Sequence, residues 1–230
     1  MPTDIYNISG LINLIINIVA FAVGIFYCYR SHNPPYMRIF PIYLFVSAAI
    51  EFFINPYIPK LFNYQPFGSH QEYATFLTYN LYTPFELFIF AWFLSRIIYS
   101  PQIKRLLILL LMLFCLFFII YSLKSDIGKN INVIAIILES VIIIIPCLTW
   151  YRELFARSEP VNLFLEPAFW LVTGIFFYLT TIIPYLVTSF YLTSHGLYGI
   201  IKTLGSINNF SLVVTYMLFI KGFTCRIRRS

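Results

Sequence analysis

Three carboxylates stand inside long apolar runs of this chain: Glu51 in IFPIYLFVSAAIEFFI, Glu86 in LYTPFELFIFAWFL and Glu139 in VIAIILESVIIIIP. An acidic side chain held at the centre of a bilayer costs about 2.5–3.5 kcal/mol on insertion scales, so one that is kept there marks a functional site by default. Three such groups gathered in a low-dielectric interior cannot all ionise, and they titrate as a coupled set. The chemistry open to them is to bind protons, metal or monovalent cations or an amine, to relay protons, or to act as acid and base on a lipid.

Polar companions accompany them. Asn13 and Asn17 lie one helical turn apart, as do Glu51 and Asn55, so each pair shares a helix face. Asn80, Tyr82 and Glu86 fall in one stretch with Tyr79 and Thr83, where Pro84 frees the carbonyl four residues back. Asn132 is expected on one face with Glu139, followed by Thr173, Thr180, Thr181 and Pro184, and then by Lys202, Ser206, Asn208 and Asn209.

The elements that must position these residues follow from composition. Of 230 residues, 60% are hydrophobic, 20% aromatic and only 10% charged, which is a membrane composition and not a soluble one. A span needs about 20 mostly apolar residues. Charge and proline punctuation then predicts an all-α polytopic protein, a single domain over 1–230, with seven transmembrane helices at about 8–29, 38–58, 76–99, 105–123, 131–150, 167–190 and 198–220. No room remains for a soluble catalytic or nucleic-acid-binding domain. The net charge of +6 comes from residues dispersed over short loops, whereas a nucleic-acid footprint needs a clustered basic face.

Of the fifteen Lys and Arg, eleven fall in the connections 30–38, 96–105 and 151–166 and in the C-terminal tail, against Lys60, Lys124, Lys129 and Lys202 on the other side. The positive-inside rule places the N-terminus outside and the C-terminus in the cytoplasm. The start, MPTDIYN, lacks a basic n-region, so the first apolar run is expected to remain as a span.

A depth ruler sharpens the site. Glu51 lies 13 residues from Arg38, Glu86 10 from Arg96 and Glu139 13 from Arg152, which at 1.5 Å per residue gives heights of roughly 20, 15 and 20 Å. On the same scale Asn17, Asn208, Asn209 and Thr180 fall at roughly 18–21 Å. Six of the seven helices contribute to this layer, and the all-apolar fourth is expected at the lipid-facing periphery. Lys202 sits near roughly 28 Å and offers no counter-ion. The candidate ligand- or ion-binding set is therefore Glu51, Glu86, Glu139, Asn17, Asn55, Asn80, Tyr82, Thr180, Asn208 and Asn209 around an outward-opening polar cavity. The competing reading is that each Glu is neutral and holds a Tyr, Thr or Asn of a neighbouring helix.

Other chemistries lack their residues. Cys28, Cys115, Cys147 and Cys225 lie within spans or on the cytoplasmic side and form no CxxC, so neither a disulfide nor a thiolate metal site is expected. His70 and His195, with Glu72, make a weak outer-loop metal signal, and a metal at the carboxylates stays an open choice. HExxH, GxSxG and phosphate-binding glycine loops are missing. A retinal on Lys202 is disfavoured because that lysine is too near the outer end and the third span has no Arg before Arg96. No cofactor is expected. The connection 59–75, rich in Pro, Gly and aromatics, is either a lid or a ring-anchored interfacial loop.

Asn80-x-Tyr82-x-x-x-Glu86, Glu51, and Glu166-Pro167-Ala168-Phe169-Trp170 leading to Gly174 and Tyr178 together resemble the seven-helix membrane proteins of Bacteroidetes-type bacteria. That family usually has Asn before this proline, where Glu166 stands here. The resemblance implies residence in a bacterial inner membrane and a sensory role beside a signalling partner, without an established activity. The reading is a non-enzymatic, ligand-binding or sensory membrane protein, with a proton- or cation-coupled transporter or channel as the alternative and a lipid enzyme behind both.

Overall fold

Helices form wherever the apolar runs are long enough, and proline or charge ends them. The computed structural model describes residues 2–30, 34–54, 71–156 and 162–225. Among them are seven long helices: α1 (Pro2–Arg30), α2 (Ile39–Ile54), α3 (Gln71–Ile97), α4 (Pro101–Lys124), α5 (Val133–Phe155), α6 (Pro167–Ser194) and α7 (Tyr198–Thr224). No strand occurs among the described residues. Pro101 and Pro167 occupy first-turn positions, where a missing N–H costs nothing. Six of the seven, α2 counted together with the turn from Pro35 that leads into it, are long and apolar enough to cross a membrane. The seventh, α3, carries Pro84, Glu86 and several Tyr and Thr residues that dilute its apolar character.

The burial pattern is that of a protein solvated by lipid. Ile108, Leu109, Met112, Leu113, Leu116 and Ile119 of α4 are exposed, as are Leu11, Ile12, Ile15 and Ile18 of α1, while Asn13, Asn17, Asn80, Thr83, Glu86 and Glu139 are buried. Water would favour the reverse arrangement, whereas a bilayer drives polar groups to find partners inside the protein. Only Leu107 and Phe114 of α4 are buried, in keeping with a lipid-facing helix.

The chain packs as two units, one of residues 1–57 and 161–230 and one of residues 58–160. In the first, α1 packs against α2 and α7, and α7 packs against α6. Its core is aromatic: Phe40 meets Phe219 edge-on at 5.2 Å and Phe223 at 6.1 Å between ring centroids. Gly174 lets α6 approach α7, because a Cβ there would lie 2.6 Å from the Phe219 ring. A 3-10 turn, Pro35–Arg38, leads into α2, and the Cys28 thiol donates to its Met37 carbonyl at 3.6 Å.

In the second unit α5 packs against both α3 and α4, and α3 also meets α4. Leu87, Phe90, Phe93 and Leu94 of α3 and Ile143, Cys147 and Trp150 of α5 are buried. The connection 59–75, read as a lid or an interfacial loop, lies mostly outside the described residues, as do Asn55 and His70, and its last five residues belong to α3.

Candidate functional site

Two helices joined by a short connection run antiparallel, so residues one turn apart on α1 meet residues one turn apart on α2 in reverse order. Asn13 Nδ2 donates to Glu51 Oε1 at 2.7 Å. One turn along, Asn17 meets Ser47 at 3.1 Å. The Asn17 carboxamide is best satisfied with Oδ1 accepting from Ser47 Oγ at 3.1 Å and Ala48 N at 3.2 Å, and Nδ2 donating to the Leu44 carbonyl at 3.3 Å. Ser47 Oγ also shares a hydrogen bond of 3.2 Å with the hydroxyl of Tyr216 on α7. A polar seam thus links α1, α2 and α7. Asn209 extends it, donating to Ser9 Oγ at 3.0 Å.

Other expected members of this unit sit differently. The Thr180 hydroxyl turns back on its own helix, donating to the Phe176 carbonyl at 2.8 Å and the Phe177 carbonyl at 3.0 Å. Thr181 does the same with Phe177 and Tyr178. Hydroxyls on a helix upstream of a proline commonly settle this way. Asn208 is half-buried and Lys202 is exposed. His195 is exposed and lies against the Tyr191 ring.

In the second unit, Glu86 and Glu139 are buried, 4% and 1% exposed, and their carboxyls interact electrostatically. Glu139 Oε1 has no hydrogen-bond partner among the described residues. The Lys and Arg of α3–α5 stand at helix ends, as Arg96, Lys104, Arg105, Lys124 and Arg152 do. Tyr82 is half-buried beside Phe85, with ring centroids 6.0 Å apart.

Asn80, 1% exposed, has a more definite task. Its Nδ2 donates to the carbonyls of Ile127 at 2.6 Å and Asn130 at 2.8 Å, while its Oδ1 accepts from Asn132 N at 2.8 Å. One side chain on α3 therefore shapes the connection between α4 and α5. Asn132 does not share a helical face with Glu139, because α5 begins at Val133 and Asn132 is its N-cap, Oδ1 accepting from Ala135 N at 3.0 Å.

Two further carboxylates were not singled out from the sequence. Glu153 on α5 accepts from the Tyr99 and Ser100 amides at 2.8 and 2.9 Å, placing negative charge at the N-terminus of α4. Asp126 accepts from Gly128 N at 3.1 Å and pairs with Lys129 at 3.2 Å. The Gly128 amide first, then Lys129, holds the Asp126 carboxyl below the usual range. An acidic residue two positions before a glycine is a turn signal that could have flagged Asp126. Glu153 carries no comparable local signal.

Among the described residues no three His, Cys, Asp or Glu side chains gather as a metal site. All four cysteines are free. Apolar surfaces facing outward and polar seams facing inward define a multi-pass α-helical membrane protein. Comparison with protein-family models, curated proteins and solved structures found no match.

Proposed function

We propose that this is a non-enzymatic protein of a bacterial inner membrane that binds a proton, a cation or an amine at buried carboxylates and passes the occupancy to a signalling partner. The observation that carries this reading is the pair Glu86 and Glu139, buried and interacting in an apolar three-helix unit whose Lys and Arg stand at the helix ends. Two like charges in such a medium are costly, so the charge balance is completed by a proton or by something bound. The positive-inside bias supports an outer N-terminus and a cytoplasmic C-terminus. The resemblance to sensory seven-helix proteins of Bacteroidetes-type bacteria supports the signalling role.

The same pair would serve a proton- or cation-coupled transporter, and Pro84, two residues before Glu86 inside α3, favours that second reading as a point of flexure. The test is to purify wild type, Glu86→Gln and Glu139→Gln and to follow thermal stability across pH and with added methylammonium. Responses that weaken in both variants support the assignment, and responses identical in all three sink it. Flux of protons or methylammonium into sealed proteoliposomes separates a transporter from a sensor.

A further inference from the structure

The seam between α1 and α2 ends in two oxygens that no hydrogen bond from the described residues answers. Asn13 is 3% exposed, and its Nδ2 bond to Glu51 Oε1 turns the carboxamide toward the carboxylate. Asn13 Oδ1 and Glu51 Oε2 are both buried without a hydrogen-bond partner among the described residues. Neither oxygen can donate, apart from a proton added to the carboxylate, so both call for a donor or a positive charge. Leaving such groups unanswered in a buried setting is costly. Among the described residues the nearby donors point elsewhere: Asn17 Nδ2 donates to the Leu44 carbonyl, Ser47 Oγ to Asn17 Oδ1, and the Tyr216 hydroxyl to Ser47 Oγ. Between Asn13 and Arg30 on α1, and throughout α2, no Lys or Arg occurs.

The donor set defines the class of ligand. One carboxylate oxygen and one amide oxygen, with no imidazole or thiolate, are hard ligands that suit alkali or alkaline-earth cations over transition metals. A single carboxylate balances a single positive charge. Calcium takes 6–8 oxygens, including several carboxylates, and no group of three acidic, His or Cys side chains exists among the described residues. An anion would meet only acceptors.

We propose that Asn13 Oδ1 and Glu51 Oε2 bind a small monovalent metal cation, which joins α1 to α2. The remaining coordination positions are left to water carried in with the ion. This assignment rests on the reading that the buried carboxylates are ligand sites, and it gives the metal ion to Glu51 rather than to Glu86 and Glu139.

The experiment compares melting temperatures of the purified protein in sodium chloride and in N-methylglucamine chloride at equal ionic strength and pH. Sodium at a hundredfold excess over its dissociation constant is expected to raise the wild-type melting temperature by roughly 5–10 °C. The shift is expected to vanish in Glu51→Gln, to shrink in Asn13→Ala and to persist in Glu139→Gln. Direct binding of radioactive sodium to wild type covers the case in which a variant fails to fold. No sodium dependence together with no sodium binding overturns the proposal. So does a shift that survives Glu51→Gln, or stabilisation by acid or methylammonium in place of sodium. Loss of the pH and methylammonium responses tied to Glu86 and Glu139, with the sodium shift intact, would count against the functional reading and leave the sodium site standing.

Discussion

Replacing Asn80 with alanine removes three hydrogen bonds at once and tests whether one side chain organises the connection between α4 and α5. Ile127 is a half-buried residue and Asn130 an exposed one, so water can replace the partner of their carbonyls, at about 0.5–1.5 kcal/mol each. The Asn132 amide belongs to a residue only 3% exposed, so its loss carries a desolvation cost of about 1–3 kcal/mol. The sum is about 2–6 kcal/mol, concentrated in one connection. Because Asn132 also caps α5, the loss spreads to the Ala135 amide and is not additive with a cap mutation. Hydrogen exchange followed by mass spectrometry reads this directly. The lower bound corresponds to roughly 30-fold faster exchange across 127–135, with α6 and α7 unaffected. Unchanged exchange there in Asn80→Ala, or a change confined to distant helices, would refute the reasoning.

Two further outcomes are expected. Gly174→Ala drives a methyl group against the Phe219 ring and should destabilise the protein by about 1–3 kcal/mol, seen as a lower melting temperature that a second substitution, Phe219→Leu, partly restores. Asp126 has its folded-state carboxyl lowered by the Gly128 amide and Lys129. Its contribution is therefore fully present above the ordinary Asp value of about 3.9 and is lost as pH falls through the folded value. Asp126→Asn should flatten only that acid limb in a series of melts, with no change near neutrality.

The helices were legible because apolar runs of membrane length are punctuated by Arg, Lys and Pro. Helix α3, expected as a span over 76–99, forms at Gln71–Ile97, although Pro84, Glu86 and its tyrosines lower the apolar signal that marks the other six. The seam between α1 and α2 was half legible: Asn13 and Asn17 were placed on one face, but Glu51 was paired with Asn55 and Ser47 was not singled out. Asn13 and Asn17 repeat every four residues, as Ser47 and Glu51 do, and an antiparallel register pairs them in reverse. Height along a helix cannot tell which way a side chain turns. Thr180 shared the depth of the carboxylates yet bonds its own helix. Asn80 was singled out in a motif with Tyr82 and Glu86, but its partners are carbonyls of a connection whose path no periodicity encodes. Asn132 was read as part of a face because helix starts shift by a residue or two, enough to turn a face residue into a cap.

The central claim is that Glu86 and Glu139 act together as a proton- or ligand-binding pair. Infrared difference spectroscopy of the reconstituted protein across a pH titration addresses it most directly, because a protonated carboxyl has its own carbonyl band. The account predicts a carboxyl band that titrates in wild type and is lost or displaced in both Glu86→Gln and Glu139→Gln, since each group senses the other. A spectrum with no titrating carboxyl band, or a band unchanged by both substitutions, would contradict it.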